Sequence, residues 1–332
     1  MKRISMLAVL AAGVWTTLGV GVAFGESPLE ERVKKLEGKV AALETKAAAS
    51  ESKIAALETT LKGVTRSETG VAGKPTIQFS GVNVQIVDGE GKTKCPRDPL
   101  NEEKVLCNGE GNLVIGYNEH LAGRTQTGSH DLIVGEEQLF ESFGGFVAGR
   151  QNAIRGEFAS VTGGLQNQAN GPWASVSGGN ANKASGNFSS VSGGAFNQAT
   201  SSGSSVSGGN NNKATEPKSW VGGGAANTAS AEVASVSGGA GNTASAIDSS
   251  VSGGVLNAAS AQTSSISGGE ENKAEGNYSW IGGGSGNTTS IEEAAVVAGG
   301  EDNKAVGKYS SILGGHLHEA TIEFQCIPSC SP

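Results

Sequence analysis

The residues of this chain able to do chemistry are few and far apart. Cys95, Cys107, Cys326 and Cys330 are an even count of cysteines. In an exported protein that pattern points to disulfides. Pairing sequence neighbours gives Cys95–Cys107 and Cys326–Cys330. The second closes a very short loop, which geometry permits only in special conformations. The alternative there is a metal pair, Cys326-x-x-x-Cys330 with His316 and His318 close by. Zinc sites use tighter cysteine spacing and four ligands, so disulfides are preferred and no metal is predicted. Glu270-Glu271 and Glu292-Glu293 are isolated acidic pairs at turns. No Asp–His or Ser–His–Asp set recurs along the repeats, so the sequence predicts neither an enzyme nor a cofactor.

The elements that carry these residues begin with an export signal over 1–25. Lys2 and Arg3 precede an apolar run from Met6 to Phe24, and Ala23-Phe24-Gly25 fits a cleavage site. No second apolar span follows, so no membrane insertion of the mature chain is expected. The chain is therefore expected to be exported, to the cell surface or beyond. Its net charge of −8 disfavours nucleic acid and anionic membrane as partners.

Residues 28–64 read as a coiled-coil stalk. Leu29, Val33, Leu36, Val40, Leu43, Ala47, Ser50, Ile54, Leu57, Leu61 and Val64 alternate steps of four and three. That is the heptad, sustained over about five repeats. One helix alone would leave this narrow apolar seam in water, so the chain must oligomerise. Val at the first core position with Leu at the second leans to two strands. Against this, Arg32-Val33-Lys34-Lys35-Leu36-Glu37 resembles the Arg-to-Glu pattern of many trimeric coiled coils. Gly38 and Gly63 inside the seam each cost about 1 kcal/mol relative to Ala.

A transition and capping region covers 65–145. Thr76–Ser80 and Val82–Val87 alternate like strands, and Asp88-Gly89 reads as a turn. Leu113–Gly116 and Leu132–Gly135 look like irregular forerunners of the repeat that follows.

Over 146–315 one apolar slot recurs: Phe146, Val161, Val176, Val191, Val206, Val221, Val236, Val251, Ile266, Ile281, Val297 and Ile312. Every step is 15 residues except the step of 16 from Ile281 to Val297. Six residues on stands Asn, at Asn167, Asn182, Asn197, Asn212, Asn227, Asn242, Asn257, Asn272, Asn287 and Asn303. Gly pairs follow the apolar residue, and Ala usually stands two after Asn. This period suits one coil of a parallel β-solenoid, with Val and Ala stacked inward and Gly at the corners. The Asn amide can hydrogen-bond the Asn of the next coil. The predicted fold class is therefore all-β, a parallel solenoid of about 15-residue coils, with residues 316–332 as its C-terminal cap. A buried Val contributes ~1.5–2 kcal/mol, against roughly 15–30 kcal/mol to order a coil of this length. A lone thin solenoid is marginal on those terms, so several are expected side by side.

The Ser-Val steps Ser160-Val161, Ser175-Val176, Ser190-Val191 and Ser205-Val206, with the Gly and Ala positions after them, resemble the Hep/Hag repeats of YadA-type trimeric autotransporter adhesin heads. The likeness covers roughly residues 113–315. It implies a left-handed β-roll, a homotrimer and an adhesin-like fibre whose partner is a host matrix protein or surface glycan. The unit here is commonly one residue longer, favours S-G-G after Val, and follows its coiled coil. The sequence ends at "FQCIPSCSP", with no anchor barrel predicted.

Rival binding functions are an ice- or glycan-binding solenoid and a phage-fibre-like structural protein. An ice face needs a Thr-x-Thr ladder, and here Ser-Val-Ser is interrupted by Trp220, Gly222, Trp280 and Gly282. Calcium repeats need a period of nine with Asp. Phe158, Trp173, Phe188, Tyr278 and Tyr309 form an occasional aromatic slot, expected to cover an inter-subunit seam.

Overall fold

The computed structural model describes residues 27–120, 122–290 and 293–328, leaving the Glu103 side chain undescribed. The signal over 1–25, Glu292 and Cys330 lie outside these residues. The chain divides into two compact units, one through Val84 and one from Gln85 onward.

In the first unit, Pro28–Thr60 is the only α-helix among the described residues. A capping box starts it: the Glu30 N–H donates to Ser27 Oγ at 3.3 Å, and the Ser27 N–H donates to Glu30 Oε2 at 2.7 Å. Pro28 needs no donor at that first position. The helix stops four residues short of the predicted stalk. Leu61 is its C-cap, and Gly63 lies at φ +94, outside the helix rather than within it. Val64–Ser67 then pairs antiparallel with Thr76–Phe79. The strand expected over Val82–Val87 does not form. Alternation marks a pleated face, but a strand also needs a partner edge.

The second unit is a parallel β-solenoid. Two sheets run its length, one of 15 strands and one of 13. Sheet one stacks the Ser-Val strands, such as Ser160–Val161 on Ser175–Val176. Sheet two stacks the strands that end in Ala, such as Gln168–Ala169 on Lys183–Ala184. Between them a single bridged residue per coil adds a third ladder, running Leu165, Asn180, Ala195 and onward.

Four inward rows fill the bore. Val161 to Ile312 and Ala169 to Ala320 form two of them, at most 1% exposed. A third holds Ala159, Ala174, Ser189, Ser204 and their successors just before each Ser-Val strand. The fourth is the Asn row. Phe146 is a correction: sheet one pairs it with Ser160, and Val147 pairs with Val161 in the core. Both residues of Phe146-Val147 are apolar, so only the pairing separates them.

The Asn row makes the expected bond to the Asn of the next coil, through that residue's backbone N–H, and adds bonds to glycine carbonyls. Asn227 donates through Nδ2 to the carbonyls of Gly223 and Gly239, at 2.8 and 2.9 Å. Its Oδ1 accepts the backbone N–H of Asn242 at 2.9 Å. Each Asn therefore ties its own coil to the next through the backbone. Amide-to-amide contacts join only the upper members, from Asn257 on Asn242 at 3.2 Å to Asn303 on Asn287 at 3.0 Å. The left-handed turn conformation belongs to the residue before, such as Gln166 at φ +58. The column also reaches further than the repeat. Asn118 accepts from Gln138, Gln138 from Asn152, and at the far end Asn303 from His318.

The two glycines of each pair are not equivalent. A Cβ on Gly194 would lie 2.1 Å from the Gly209 carbonyl, and its φ is +81. A Cβ on Gly193 would meet nothing within 4 Å. Gly194→Ala is expected to cost more than the ~1–2 kcal/mol of a left-handed side chain, and Gly193→Ala little, as read from urea midpoints. Asn227→Ala orphans the Gly223 carbonyl and the Asn242 N–H, at roughly 1–3 kcal/mol each, while the Gly239 carbonyl still accepts the Ala225 N–H. Asn210→Ala, on the exposed ladder, is expected to stay within about 0.5 kcal/mol of the parent by the same measurement.

Candidate functional site

Because inward positions are fixed by the stack, function must lie on the outward rows and at the ends. In most coils sheet one presents Ser on both sides of the core residue, as in Ser175-Val176-Ser177. Where Trp replaces the first Ser, Gly replaces the second. The Trp220 indole lies against Gly222, and that of Trp280 against Gly282. Trp280 Nε1 donates to Ser267 Oγ at 3.0 Å. The indoles interrupt the serine rows and leave this face without an unbroken hydroxyl lattice.

The outer face of sheet two forms a groove of about 490 Å³ at its N-terminal end. Its polar lining includes Arg124, Arg155, Lys183, Gln166, Gln168 and Gln198. These come from several coils and meet only because the register aligns them. Arg124 donates to the carbonyls of Gln151 and Asn152, at 2.9 and 3.2 Å. Burial lowers its pKa, Glu137 opposes that, and Arg155 adds to the lowering. Arg155 holds Glu141 at 3.1 Å and Asn170 at 3.0 Å. Gln166 donates to Gln151 Oε1 at 3.0 Å. Lys183 stands exposed beyond them. The groove offers cations and amide groups suited to an acidic or hydroxyl-rich ligand.

The aromatic slot falls at a turn in the left-handed region, with Trp173 at φ +55 and Phe188 at φ +58. Trp173 and Phe188 stack at 4.9 Å with planes 6° apart, and Phe158 lies 6.2 Å below Trp173. Phe143 closes the lower end, edge-on to Phe158 at 5.2 Å. The stacked faces cover one another, so mainly ring edges face outward. Tyr309 stacks on Phe324 at 5.1 Å. Tyr278 is exposed and stands alone in its part of the slot.

Cys95 and Cys107 form a disulfide in the region that covers the first coils. Arg97 of that region is paired with the buried Glu157. Cys326 is disulfide-bonded as well. His318 ends the Asn column, while His316 stands one slot away on the bridged ladder. Glu270 and Glu271 are exposed, and Glu293 is held by Lys308 at 3.0 Å. Lys308 lowers the Glu293 pKa by hydrogen bonding and charge, and its own pKa rises for the same reasons. Among the described residues no helix is long and apolar enough to cross a membrane.

Sequence reasoning missed the groove, whose residues carry no common motif, and the buried Asp131. Asp131 accepts the Gly145 N–H at 2.7 Å through Oδ1, while Oδ2 has no partner. No family model matches the chain, and no characterised protein matches its sequence.

Burial lifts the Asp131 carboxyl to about 7, against the pull of the Gly145 N–H. An unfolded Asp titrates near ~4. Between these values the folded state keeps a proton that the unfolded state releases. The stabilising contribution is full below about pH 4 and is lost as pH rises through about 7. Asp131→Asn keeps the acceptor and needs no ionisation. It is expected to raise the melting temperature at pH 8 and to leave it nearly unchanged at pH 4.

Proposed function

We propose that this chain is an exported, non-enzymatic fibre module in which three copies associate, with a structural or adhesive role at the cell surface. The observation that carries it is the heptad helix. No residue of that helix is buried, and Leu29, Leu36, Leu43 and Leu57 stand 58–68% exposed. Val33, Val40 and Ile54 share the seam and its exposure, as does the capping Leu61. A seam of that kind is stable only against copies of itself. The Arg32–Glu37 pattern favours three. The resemblance to YadA-type heads supports the same number and a left-handed coil.

The solenoid supplies a compatible face. Sheet two carries Lys183, Lys213, Lys273 and Lys304 outward, and burying like charges against one another is costly. Sheet one carries small serines, suited to close packing between subunits. That assignment leaves sheet two facing outward. Its groove favours a surface glycan bearing carboxylates as partner, with a host matrix protein as the alternative.

Analytical ultracentrifugation of residues 26–332 is expected to give a trimer. A monomer at micromolar concentration would overturn the proposal. Leu36→Lys combined with Leu57→Lys is expected to weaken association by at least about tenfold. A screen against matrix proteins and acidic glycans, repeated with Lys183→Glu, tests the outward face. Reduced glycan capture by the variant is the expected result.

A further inference from the structure

We propose that Glu301, Asp302 and His316 form a binding site for a divalent transition metal, of the zinc class, that joins two consecutive coils. Their ligand atoms lie within 4.8 Å of one another. Bound to one zinc ion at ~2.0–2.2 Å each, such atoms sit closer together, so modest rotation of exposed side chains completes the set.

The backbone beneath is fixed. Glu301 and His316 occupy the same slot of successive coils and are bridged directly. The Glu301 N–H donates to the Gly315 carbonyl at 2.9 Å, and the Leu317 N–H donates to the Glu301 carbonyl at 3.0 Å. These bonds hold the two Cα positions on either side of the coil boundary. Asp302 lies at φ +54, with its N–H on the Ser285 carbonyl at 2.9 Å. Its carboxylate is thereby brought beside that of Glu301. No described side chain forms an ion pair or hydrogen bond with Glu301, Asp302 or His316. Two adjacent carboxylates without a cation favour a positive charge between them.

The imidazole decides which cation. Calcium and magnesium take oxygen ligands, whereas a mixed nitrogen and carboxylate set suits zinc and its neighbours among the transition metals. The same two slots on earlier coils hold Glu270 and Glu271, then Ser285 and Gly286. Those positions offer no nitrogen donor, so the last pair of coils differs in kind from the acidic positions before it. Three protein ligands leave a fourth position for water or for a group from another molecule. The sequence offers His316 and His318 beside the Cys326–Cys330 pair only as the alternative to disulfides, and predicts no metal there. Cys326 is committed to a disulfide, and the donors come from the coil below instead.

The test is calorimetric titration of the full mature chain, stripped of metal, with Zn²⁺ alone and separately with Ca²⁺. One zinc per chain is expected, with calcium at least about tenfold weaker. His316→Ala and Glu301→Gln are each expected to weaken zinc by at least about tenfold, while His318→Ala leaves it unchanged. Substitution with Co²⁺ gives a second readout: its visible ligand-field bands should change in His316→Ala. Absence of zinc binding, zinc binding unaffected by His316→Ala, or equal affinity for calcium would each overturn the proposal. Circular dichroism of the variants confirms that these surface changes leave the coils folded.

Discussion

Every coil is held to the next by the same buried amide. The Asn side chain has two donors and one acceptor oxygen to satisfy. Along the regular repeat, as at Asn182, both donors go to glycine carbonyls, one on its own coil and one on the next, while the oxygen takes the following Asn N–H. A buried amide with all its partners stabilises, and one left unpaired costs more than it gained. Changes in coil length are therefore absorbed where they leave the column intact. The extra residue between Ile281 and Val297 falls after Asn287, and Asn303 still lies in register above it. The shorter coil after Val147 shifts its glycine corner to Gly149, and Asn152 keeps its bonds to the carbonyls of Ala148 and Gly164. The glycine with positive φ follows from the same constraint. The next coil's carbonyl occupies the space a Cβ would need.

The repeat was legible because stacking turns a period into a position. Val, Asn and Ala recur at fixed offsets, and each offset is one inward row. Legibility failed where identity changes but role does not. Asn118, Gln138 and His318 extend the Asn column at its ends, yet Asn118 and Gln138 stand off the 15-residue period and Gln138 and His318 are not Asn. The inward Ser and Ala before each strand were hidden by their small size, which reads as surface. The heptads are plain as far as Leu57. Beyond it, the pattern continues into Leu61 and Val64 after the helix has ended, because apolar spacing carries no information about the backbone at Gly63. The groove was illegible altogether. Arg124, Arg155 and Lys183 are separated by whole coils and become neighbours only through the register.

Interior uniformity leaves the exterior free. A side chain on the serine rows, the Lys/Gln row or the turn rows bears on no column, so each row varies without disturbing the fold. Trp220 and Trp280 show the limited coupling that remains: each needs the glycine two residues on to lie flat. The aromatic turn row shows coupling along the axis. Phe158, Trp173 and Phe188 reinforce one another as a stack, which ends at Gly203 and leaves Phe188 62% exposed. Such variation lets one backbone present a serine face, a basic groove and an acidic edge with a histidine.

The isolated two-residue strands have a mechanical consequence. They lie across the solenoid axis, so tension along that axis loads the bonds between coils in series. Each interface carries the full force in turn, and the weakest one opens first. Releasing one coil of 15 residues exchanges a rise of ~4.8 Å for about 50 Å of extended chain. A pull from either end is thus met by stepwise lengthening, which dissipates load while the remaining coils keep their faces intact.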